Sequence, residues 1–274
     1  MTSNCYLCGA NNYTVLKKVD QKPAGETDYG IAAQDYYREI CECHQCGVYF
    51  NRHNNLIPED FYEGKYNSSI AQGTIERRYN KIINLPFHQS DNKNRTLRIV
   101  DYLYTQDLEP IKAKVLDVGS GTGVFLHELK KFGFQVYCID PDITSTQHAL
   151  NTIGVNGVFT GSIENFKTSE QFDLITFNKV LEHVTNPIKI LQQTRSLLSP
   201  NGILYVELPD GTPAIKNNEI VDRSEFFLDH YTTFNKPAFE YLLKESGFQL
   251  CKLQQMIDPS GKYTIYGFAS LINL

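Results

Sequence analysis

The feature that most limits the fold is a regular alternation of apolar runs and amphipathic segments, which begins near Ile111. The two periodicities predict strands over 113–118, 134–140, 155–160, 172–177 and 202–208, separated by helices over 123–132, 143–153, 163–167 and 187–198. Strands that alternate with helices form βαβ units, in which neighbouring strands run parallel. The second half of the chain is therefore predicted to be an α/β domain built on a parallel sheet.

The end of the chain departs from this alternation. A helix is predicted over about 237–246, and it is followed by strands near 248–256 and 263–271. The few residues between these two strands are too short for a crossover helix, so the pair is predicted to be an antiparallel hairpin. The expected sheet has seven strands with the last pair antiparallel. Upstream, 73–84 and 94–105 have helical patterns.

Composition narrows the classes of function. The 274 residues carry a formal charge of -5 and give a pI near 5.8, which supplies no large cationic field for nucleic acid or anionic lipid. No apolar run is long enough to suggest a membrane span, and the first residues have no secretion-signal pattern. We expect a cytoplasmic protein with a small-molecule partner, no nucleic-acid partner and no membrane insertion. The oligomeric state is not predicted.

A glycine-rich segment follows the first predicted strand of the α/β region. Gly119, Gly121 and Gly123 stand at alternate positions, directly before a predicted helix. Glycine allows a tight turn and close approach of a ligand to the backbone, and the helix N-terminus offers free N–H groups. Dinucleotide-binding loops place their third glycine one residue later, where this chain has Val124. Asp140 ends the next strand, where a carboxylate can accept both hydroxyls of a ribose, so a nucleoside ligand is expected.

These residues resemble the class I S-adenosylmethionine-dependent methyltransferases over about 111–274. The resemblance rests on the segment 115–123, Asp140, and the segments 172–177, 181–184 and 198–207. It implies a Rossmann-like, seven-stranded methyltransferase fold that binds S-adenosylmethionine. The cofactor-binding residues that it implies are Asp117, Gly119, Ser120 and Gly121 toward the methionine part, Asp140 on the ribose, Ser162 and Ile163 beside the adenine, and Asn178 near the amino-acid end.

A tyrosine-bearing segment lies ahead of this region. Tyr62 and Tyr66 look like the segment that precedes the methyltransferase domain in bacterial sugar and polysaccharide-pathway methyltransferases. In that resemblance Tyr66 closes over the cofactor. The alternative is that these aromatic residues belong to a packed helix.

Two cysteine pairs near the N-terminus predict a metal site. Each pair, Cys5 with Cys8 and Cys43 with Cys46, has two intervening residues and is followed by glycine. Two such knuckles can supply four thiolates to a tetrahedral, structural zinc ion. The segment between the pairs is longer than the roughly 15 to 20 residues that are usual in zinc ribbons.

Other cysteine and histidine residues leave the ligand set open. Cys41 or His44 can replace one of the four ligands, whereas Cys138 and Cys251 lie in apolar strand patterns and are predicted to be small core residues. The knuckles also look like the zinc module ahead of certain sugar C-methyltransferases. The expected division is a zinc-binding module over 1–60, a helical connector or lid over 61–110 and the methyltransferase domain over 111–274.

The reaction requires a base rather than a covalent nucleophile, because an oxygen or carbon acceptor must lose a proton. His183 follows the fourth strand of the α/β region, and His230, preceded by Asp229, follows the fifth. These three are the predicted catalytic residues, with either histidine as the base. Each histidine can instead only order its loop.

Three functions remain open. The leading hypothesis is transfer of a methyl group to oxygen or carbon of a sugar-like acceptor, either nucleotide-linked or a surface-polysaccharide precursor. The second is a zinc-ribbon RNA methyltransferase, and the third is a non-catalytic protein that uses the same fold for binding. The Glu182–His183 pair with His230 is similar to metal-dependent RNA 2′-O-methyltransferases, but Lys179 stands where those have a further glutamate. A lysine is a poor metal ligand, so catalytic magnesium or manganese is not expected.

Overall fold

A computed structural model describes residues 4–54 and 74–272 of the chain, and these residues form two β-sheets. The first sheet begins with three antiparallel strands, β1 (Tyr13–Val19), β2 (Arg38–Cys43) and β3 (Tyr49–His53). β2 and β3 are almost fully buried, whereas β1 is largely exposed at the edge. The knuckle cysteines lie beside and within this small sheet.

Two helices lead from this region into the larger sheet. They are α1 (Ile75–Ile83) and α2 (Asp91–Tyr104), close to the predicted 73–84 and 94–105. Each helix begins after a hydroxyl residue: the Thr74 side chain accepts from the main-chain N–H of Arg77, and the Ser90 side chain accepts from that of Lys93. These caps satisfy N–H groups that the first helical turn leaves without partners.

The larger sheet has seven strands. The parallel strands are β4 (Lys114–Val118), β5 (Gln135–Asp140), β6 (Gly157–Thr160), β7 (Phe172–Asn178) and β8 (Leu198–Pro209). The antiparallel hairpin consists of β10 (Phe248–Ile257) and β11 (Tyr263–Leu271), and β11 also pairs antiparallel with β8. The order of the strands in the sheet is β10-β11-β8-β7-β4-β5-β6. The predicted Rossmann-like fold, with its antiparallel last pair, is confirmed.

Helices cover both faces of this sheet. They include α3 (Val124–Lys131), α4 (Ile143–His148) and α5 (Pro187–Thr194). A further helix, α6 (Thr212–Lys216), packs with the N-terminal sheet instead, and α7 (Lys236–Glu245) packs against the larger sheet. Two predicted helices are shorter than expected, because 149–153 form a π-helical turn and 195–197 a 3₁₀ turn. Likewise, the segment predicted as a helix over 163–167 is a single 3₁₀ turn, Ile163–Asn165. No helix within 4–54 and 74–272 is both long and apolar enough to cross a bilayer.

A short strand joins the two parts of the molecule. β9 (Thr232–Thr233) follows α6 in the chain but belongs to the first sheet, where it pairs antiparallel with β3. Phe50 pairs with Thr232 and Tyr49 with Thr233. The N-terminal sheet is therefore completed by a strand from the part of the chain that carries the larger sheet.

The two cysteines predicted to be core residues differ. Cys138, in the parallel strand β5, is buried as predicted. The prediction for Cys251 is wrong, because its side chain is exposed on the edge strand β10. The register between β10 and β11 shifts between Leu250 and Lys252. Such an irregularity places an extra residue in one strand and interrupts its alternation of buried and exposed positions.

A charge network lies where α2 meets the sheet. The Arg95 guanidinium donates two hydrogen bonds to the carboxylate of Glu207 on β8, with an Nε–Oε2 distance of 2.9 Å. Glu207 is fully buried, and the Tyr205 hydroxyl and the Arg98 guanidinium also contact it. The neighbouring Arg95 charge holds the pKa of Glu207 well below its ordinary value even though burial opposes this. The carboxylate is thus kept charged by its partners.

Removing one partner of this pair leaves a buried charge less well compensated. We expect Arg95→Met to lower the free energy of unfolding by about 3–5 kcal/mol, measured by urea denaturation. The control is Lys114→Met, which removes a partly exposed ion pair with Glu170 and leaves the unfolding free energy nearly unchanged. Equal effects of the two substitutions would show that the buried pair has no special role in stability.

Candidate cofactor and acid–base site

The glycine loop connects β4 to α3 and leaves space for a ligand. Gly119 has a φ of +78°, and a Cβ atom there would lie 2.5 Å from the Val180 side chain, so a larger residue does not fit. Gly121 has a φ of +53°, and apart from its two chain neighbours no atom of residues 4–54 and 74–272 lies within 4 Å of the position that a Cβ would occupy. Ser120, between them, is partly buried. Gly121 therefore borders open space beside the backbone, as a close ligand approach requires.

Asp140 lies at the carboxyl end of β5, beside the glycine loop. Its carboxylate accepts from the main-chain N–H of Gly121 at 2.8 Å and from that of Asp142 at 2.9 Å. Burial raises the pKa of Asp140 to about 6. Each oxygen of an ionised carboxylate retains a second lone pair, so these bonds leave acceptor capacity for hydroxyl groups.

Asp117 and Asn178 form a second polar pair at the same edge of the sheet. The buried carboxylate of Asp117 accepts from the Thr176 hydroxyl at 2.6 Å and from the Asn178 amide at 2.7 Å. Burial raises the pKa of Asp117 to about 7. The other amide atom of Asn178, Oδ1, is buried without a hydrogen-bond partner among the described residues. An acceptor left in this way fits a ligand that carries N–H groups.

The remaining residues predicted to bind the cofactor lie beyond β6 and in the tyrosine-bearing segment. Ser162 precedes the 3₁₀ turn and is partly buried, and Ile163 is the first residue of the turn and is buried. They stand after the strand that neighbours β5 in the sheet. Tyr62 and Tyr66 lie outside the described residues.

A carboxylate and two imidazoles meet beyond the ends of β7 and β8. Single ligand atoms of Glu182, His183 and His230 all lie within 4.8 Å of one another. The two rings approach edge to face, with centroids 4.7 Å apart. The chain beyond β7 connects this cluster to the glycine loop, because Val180 contacts Gly119 and the cluster begins two residues later. We call these three residues the acid–base cluster.

Main-chain carbonyl groups fix both imidazoles through the same ring atom. The Nδ1 atom of His183 lies 2.9 Å from the carbonyl oxygen of Asp229, and the Nδ1 atom of His230 lies 2.9 Å from that of Glu225. A carbonyl oxygen only accepts, so each Nδ1 must carry a proton. In a neutral ring of this tautomer Nε2 carries the basic lone pair and is the atom that accepts a proton. The carboxylate of Asp229 is 3.7 Å from Nδ1 of His183, so Asp229 also helps to orient that ring.

Burial affects the charge states within this cluster. It lowers the pKa of His230, which favours the neutral ring near pH 7. Glu182 is buried, and neither carboxylate oxygen has a hydrogen-bond partner among the described residues. The sequence grouped Glu182 with His183 and His230 only through the similarity to metal-dependent RNA methyltransferases, and Glu182 was not among the predicted catalytic residues. Its position directly before a candidate base was the available signal.

Lys179 does not enter the acid–base cluster. Its φ is +60°, an unusual value for a residue other than glycine, and its amine donates to the Leu208 carbonyl at 2.9 Å and to the Thr264 hydroxyl at 2.7 Å. The amine is therefore committed to β8 and β11. It supplies neither a metal ligand nor a proton acceptor to the cluster, and the three cluster residues gain no second carboxylate at this position.

The structure brings together the four knuckle cysteines. Their sulfur atoms all lie within 4.8 Å of one another, with Cys5 and Cys46 3.7 Å apart and Cys8 and Cys43 3.5 Å apart. Sulfurs bound tetrahedrally at about 2.3 Å from zinc are separated by roughly 3.8 Å, so the donor set fits this ion. The two spare candidates lie elsewhere. The sulfur of Cys41 faces the Glu39 carbonyl, and the His44 ring contacts the Thr14 hydroxyl.

Comparison with known proteins identifies the family of the α/β region. The family model described as "Methyltransferase domain" matches residues 87–253, which is more than half of the chain. A "Ubiquinone biosynthesis O-methyltransferase" of Xanthomonas axonopodis pv. citri (strain 306) is 33% identical over 165 residues, which cover 55% of this chain and 68% of that protein. The protein of the same name from Xanthomonas euvesicatoria pv. vesicatoria (strain 85-10) is 32% identical over 173 residues, which cover 58% and 71%.

Solved structures share the fold at low sequence identity. Magnesium protoporphyrin IX methyltransferase from Synechocystis PCC 6803, with bound SAH, matches with a TM-score of 0.56 and 16% identity, covering 77% of this chain and 96% of that one. The 1,6-didemethyltoxoflavin-N1-methyltransferase of Burkholderia thailandensis matches with a TM-score of 0.57 and 15% identity, covering 84% and 97%. The seven-stranded sheet, the glycine loop and the family match together show that the chain belongs to the methyltransferase domain family and is a class I S-adenosylmethionine-dependent methyltransferase.

Proposed function

We propose that this methyltransferase methylates a hydroxyl group of a small, sugar-like acceptor and that His230 is the base. The observation that carries the proposal is the acid–base cluster, in which two imidazoles are held with Nδ1 on carbonyl groups, so that a neutral ring carries its basic lone pair on Nε2. A methyl acceptor that is an alcohol must lose its proton during transfer, and a neutral imidazole is suited to take it. The relatives named as O-methyltransferases support oxygen as the acceptor atom.

The proposed methyl transfer involves the cofactor, one basic histidine and a nearby carboxylate. When bound, S-adenosylmethionine supplies a methyl group on a positively charged sulfur, which is a good leaving group. The proton of the acceptor hydroxyl moves to Nε2 of His230, so that the ring becomes a cation. The carboxylate of Glu182 lies within 4.8 Å and stabilises that cation by charge attraction. His183, which Asp229 helps to orient, is the second candidate for the same role.

The cofactor residues keep their predicted roles in this proposal. Asp140 would hold the ribose, Gly119 to Gly121 would border the methionine part, and the Asn178 amide would face the amino-acid end. Three observations support this: the open space beside Gly121, the acceptor capacity left on Asp140 and the partnerless Oδ1 of Asn178. Ser162 and Ile163 would lie beside the adenine, after the strand next to β5.

The proposal of a sugar-like acceptor is supported by the residues that surround the proposed base. The loop that carries His230 contacts residues 38–53, and these residues lie outside the matched region 87–253. The acceptor end of the site is thus partly built from sequence that the family model does not describe. This supports an acceptor that differs from those of the relatives, such as the sugar-like one that the upstream segments indicate.

A second candidate acceptor follows from the names of the relatives. A ubiquinone precursor also offers a ring hydroxyl for methylation. The two relatives described above, of which this chain matches more than two thirds, are both named ubiquinone biosynthesis O-methyltransferases. The RNA acceptor considered from the sequence is disfavoured by the net charge of -5. Radiolabelled S-adenosylmethionine, incubated with nucleotide sugars, a hydroxylated ubiquinone precursor and RNA, identifies the acceptor by the compound that gains the label.

We also propose that Cys5, Cys8, Cys43 and Cys46 hold one structural zinc ion. Four thiolates close the coordination shell of zinc, which leaves no place for an activated water. The metal would stabilise the N-terminal sheet by joining the first knuckle, ahead of β1, to the second knuckle, which begins at the end of β2. It would take no direct part in methyl transfer.

Replacement of the proposed base separates chemistry from cofactor binding. We expect His230→Gln to lower turnover of the labelled acceptor by about 10²- to 10⁴-fold, while the dissociation constant for S-adenosylmethionine, measured by calorimetry, stays unchanged. His183→Gln is tested in parallel to identify the base, and His88→Gln, at an exposed position, is the control. Turnover that is unchanged in His230→Gln would remove this residue from the mechanism.

The ribose-binding role of Asp140 predicts a pH dependence. As pH falls through about 6, Asp140 becomes protonated and no longer accepts two hydroxyl groups, so S-adenosylmethionine binding weakens. One unit below this pKa the dissociation constant should be about tenfold higher. Calorimetry between pH 7.5 and 5 measures this step. The Asp140→Asn variant should bind S-adenosylmethionine more weakly at pH 7.5, and the change in its dissociation constant near pH 6 should disappear. A change near pH 7 that remains in this variant belongs to Asp117. An affinity independent of pH in the unmodified protein contradicts the assignment.

The zinc proposal has a direct chemical test. Protein purified without chelator should contain one equivalent of zinc by elemental analysis, and Cys43→Ser should lose it. Cys41→Ser, two residues away but outside the sulfur cluster, should retain the metal. Retention of zinc by Cys43→Ser, or its loss only in Cys41→Ser, would reassign the ligands.

A further inference from the structure

The loop that carries His230 is held mainly by residues of the N-terminal sheet. It runs from the 3₁₀ turn Ser224–Phe226 to β9, and we call 226–231 the base loop. Loops of this kind are usually mobile unless their main-chain groups have partners. Here many of those groups are bonded to side chains of β2 and β3 and to the segment between β1 and β2.

Asn51, on β3, makes the most contacts. Its side-chain amide lies within hydrogen-bond distance of three carbonyl oxygens of the base loop: Phe226 at 3.2 Å, Phe227 at 3.0 Å and His230 at 2.8 Å. Its main-chain N–H donates to the carbonyl of Tyr231 at 3.2 Å. The Asn51 side chain is 1% exposed, so water does not compete for these bonds.

A buried ion pair supports Asn51. Arg38, on β2, is fully buried and donates to Oδ1 of Asn51 at 2.9 Å and to the carbonyl of Phe226. Its guanidinium is 3.4 Å from the carboxylate of Glu26, which accepts from the main-chain N–H of Leu228 at 2.7 Å. The charge of Arg38 fixes the Asn51 amide with its oxygen toward the guanidinium and its NH₂ toward the loop carbonyls.

We propose that Asn51 is a positioning residue that holds the His230 imidazole in its proton-accepting arrangement, so that the N-terminal sheet completes the acid–base cluster. This inference rests on the proposed role of His230 as the base. The two N–H bonds of the Asn51 amide are shared among the carbonyls of Phe226, Phe227 and His230. Between these carbonyls, the Leu228 N–H donates to Glu26. The turn that presents the Glu225 carbonyl to Nδ1 of His230 is thereby closed.

The N-terminal sheet therefore has a task that is separate from cofactor binding. The glycine loop and Asp140 belong to β4, β5 and α3, and none of the contacts described for them involves β1, β2 or β3. Loss of the Asn51 bonds should release the base loop without disturbing the cofactor site. A group that acts only by general stabilisation would affect both sites together.

The test uses the whole 274-residue chain, purified without chelator, and needs no acceptor. Nitrogen-15 NMR of the histidine rings at pH 7.5 reports which ring nitrogen is protonated, and the signal that His230→Gln removes is that of His230. The unmodified protein should show the Nδ1–H form alone. Asn51→Asp keeps the side-chain size but loses the donors, and it should convert His230 to a mixture of both tautomers, with unchanged calorimetric affinity for S-adenosylmethionine.

Asn11→Asp, at an exposed position of the N-terminal region, is the matched control and should leave the His230 signal as it is. The proposal is overturned if His230 keeps the Nδ1–H form in folded Asn51→Asp, or if cofactor affinity falls together with the tautomer change. If Asn51→Asp does not fold by circular dichroism, Asn51→Ser decides by the same two criteria. Failure of the base assignment would appear differently, as unchanged turnover in His230→Gln with the tautomer result intact.

Discussion

Parallel pairing of three adjacent strands places every part of the site at one edge of the sheet. Val118 at the end of β4 pairs with Ile139 on β5 and with Phe177 on β7. The residues that follow these three are Gly119, Asp140 and Asn178. The register therefore places the glycine turn, the carboxylate and the amide side by side at the carboxyl edge of the sheet. Sites at the carboxyl ends of parallel strands are built in this way because the strands share one direction. A shift in register would separate these groups.

The sequence was sufficient to predict the parts of the molecule that depend on local patterns. The seven strands, their order of appearance and the antiparallel hairpin follow from periodicity and from the length of connections. The glycine loop and Asp140 stood in matching positions of one βαβ unit, which is why both could be assigned a role before the structure. Helix ends were less predictable, because the π-helical turn at 149–153 and the 3₁₀ turn at 195–197 continue the same amphipathic pattern.

Contacts between distant segments could not be predicted in this way. Nothing in the sequence around Asn51 or Arg38 indicates that their side chains hydrogen-bond to the base loop. The first carbonyl of that loop, at Phe226, is 175 residues from Asn51 along the chain. The approach of Glu182 to two histidines also depends on how two loops fold against each other. Cys251 is exposed because it lies on the outward face of an edge strand, and strand periodicity alone does not report which strand forms the edge of the sheet. Tertiary packing, rather than local preference, decides each of these three features.

The pairing of β3 with β9 also has a consequence for the order of folding during protein synthesis. Residues 4–53 leave the ribosome early, and their cysteine knuckles can meet as soon as both have emerged. The fourth strand of that sheet, Thr232–Thr233, is made only after most of the chain. Long-range pairing of this kind forms slowly. The nascent N-terminal sheet therefore keeps β3 as an unpaired edge until β9 has been synthesised, and during this period the edge can aggregate or bind a chaperone.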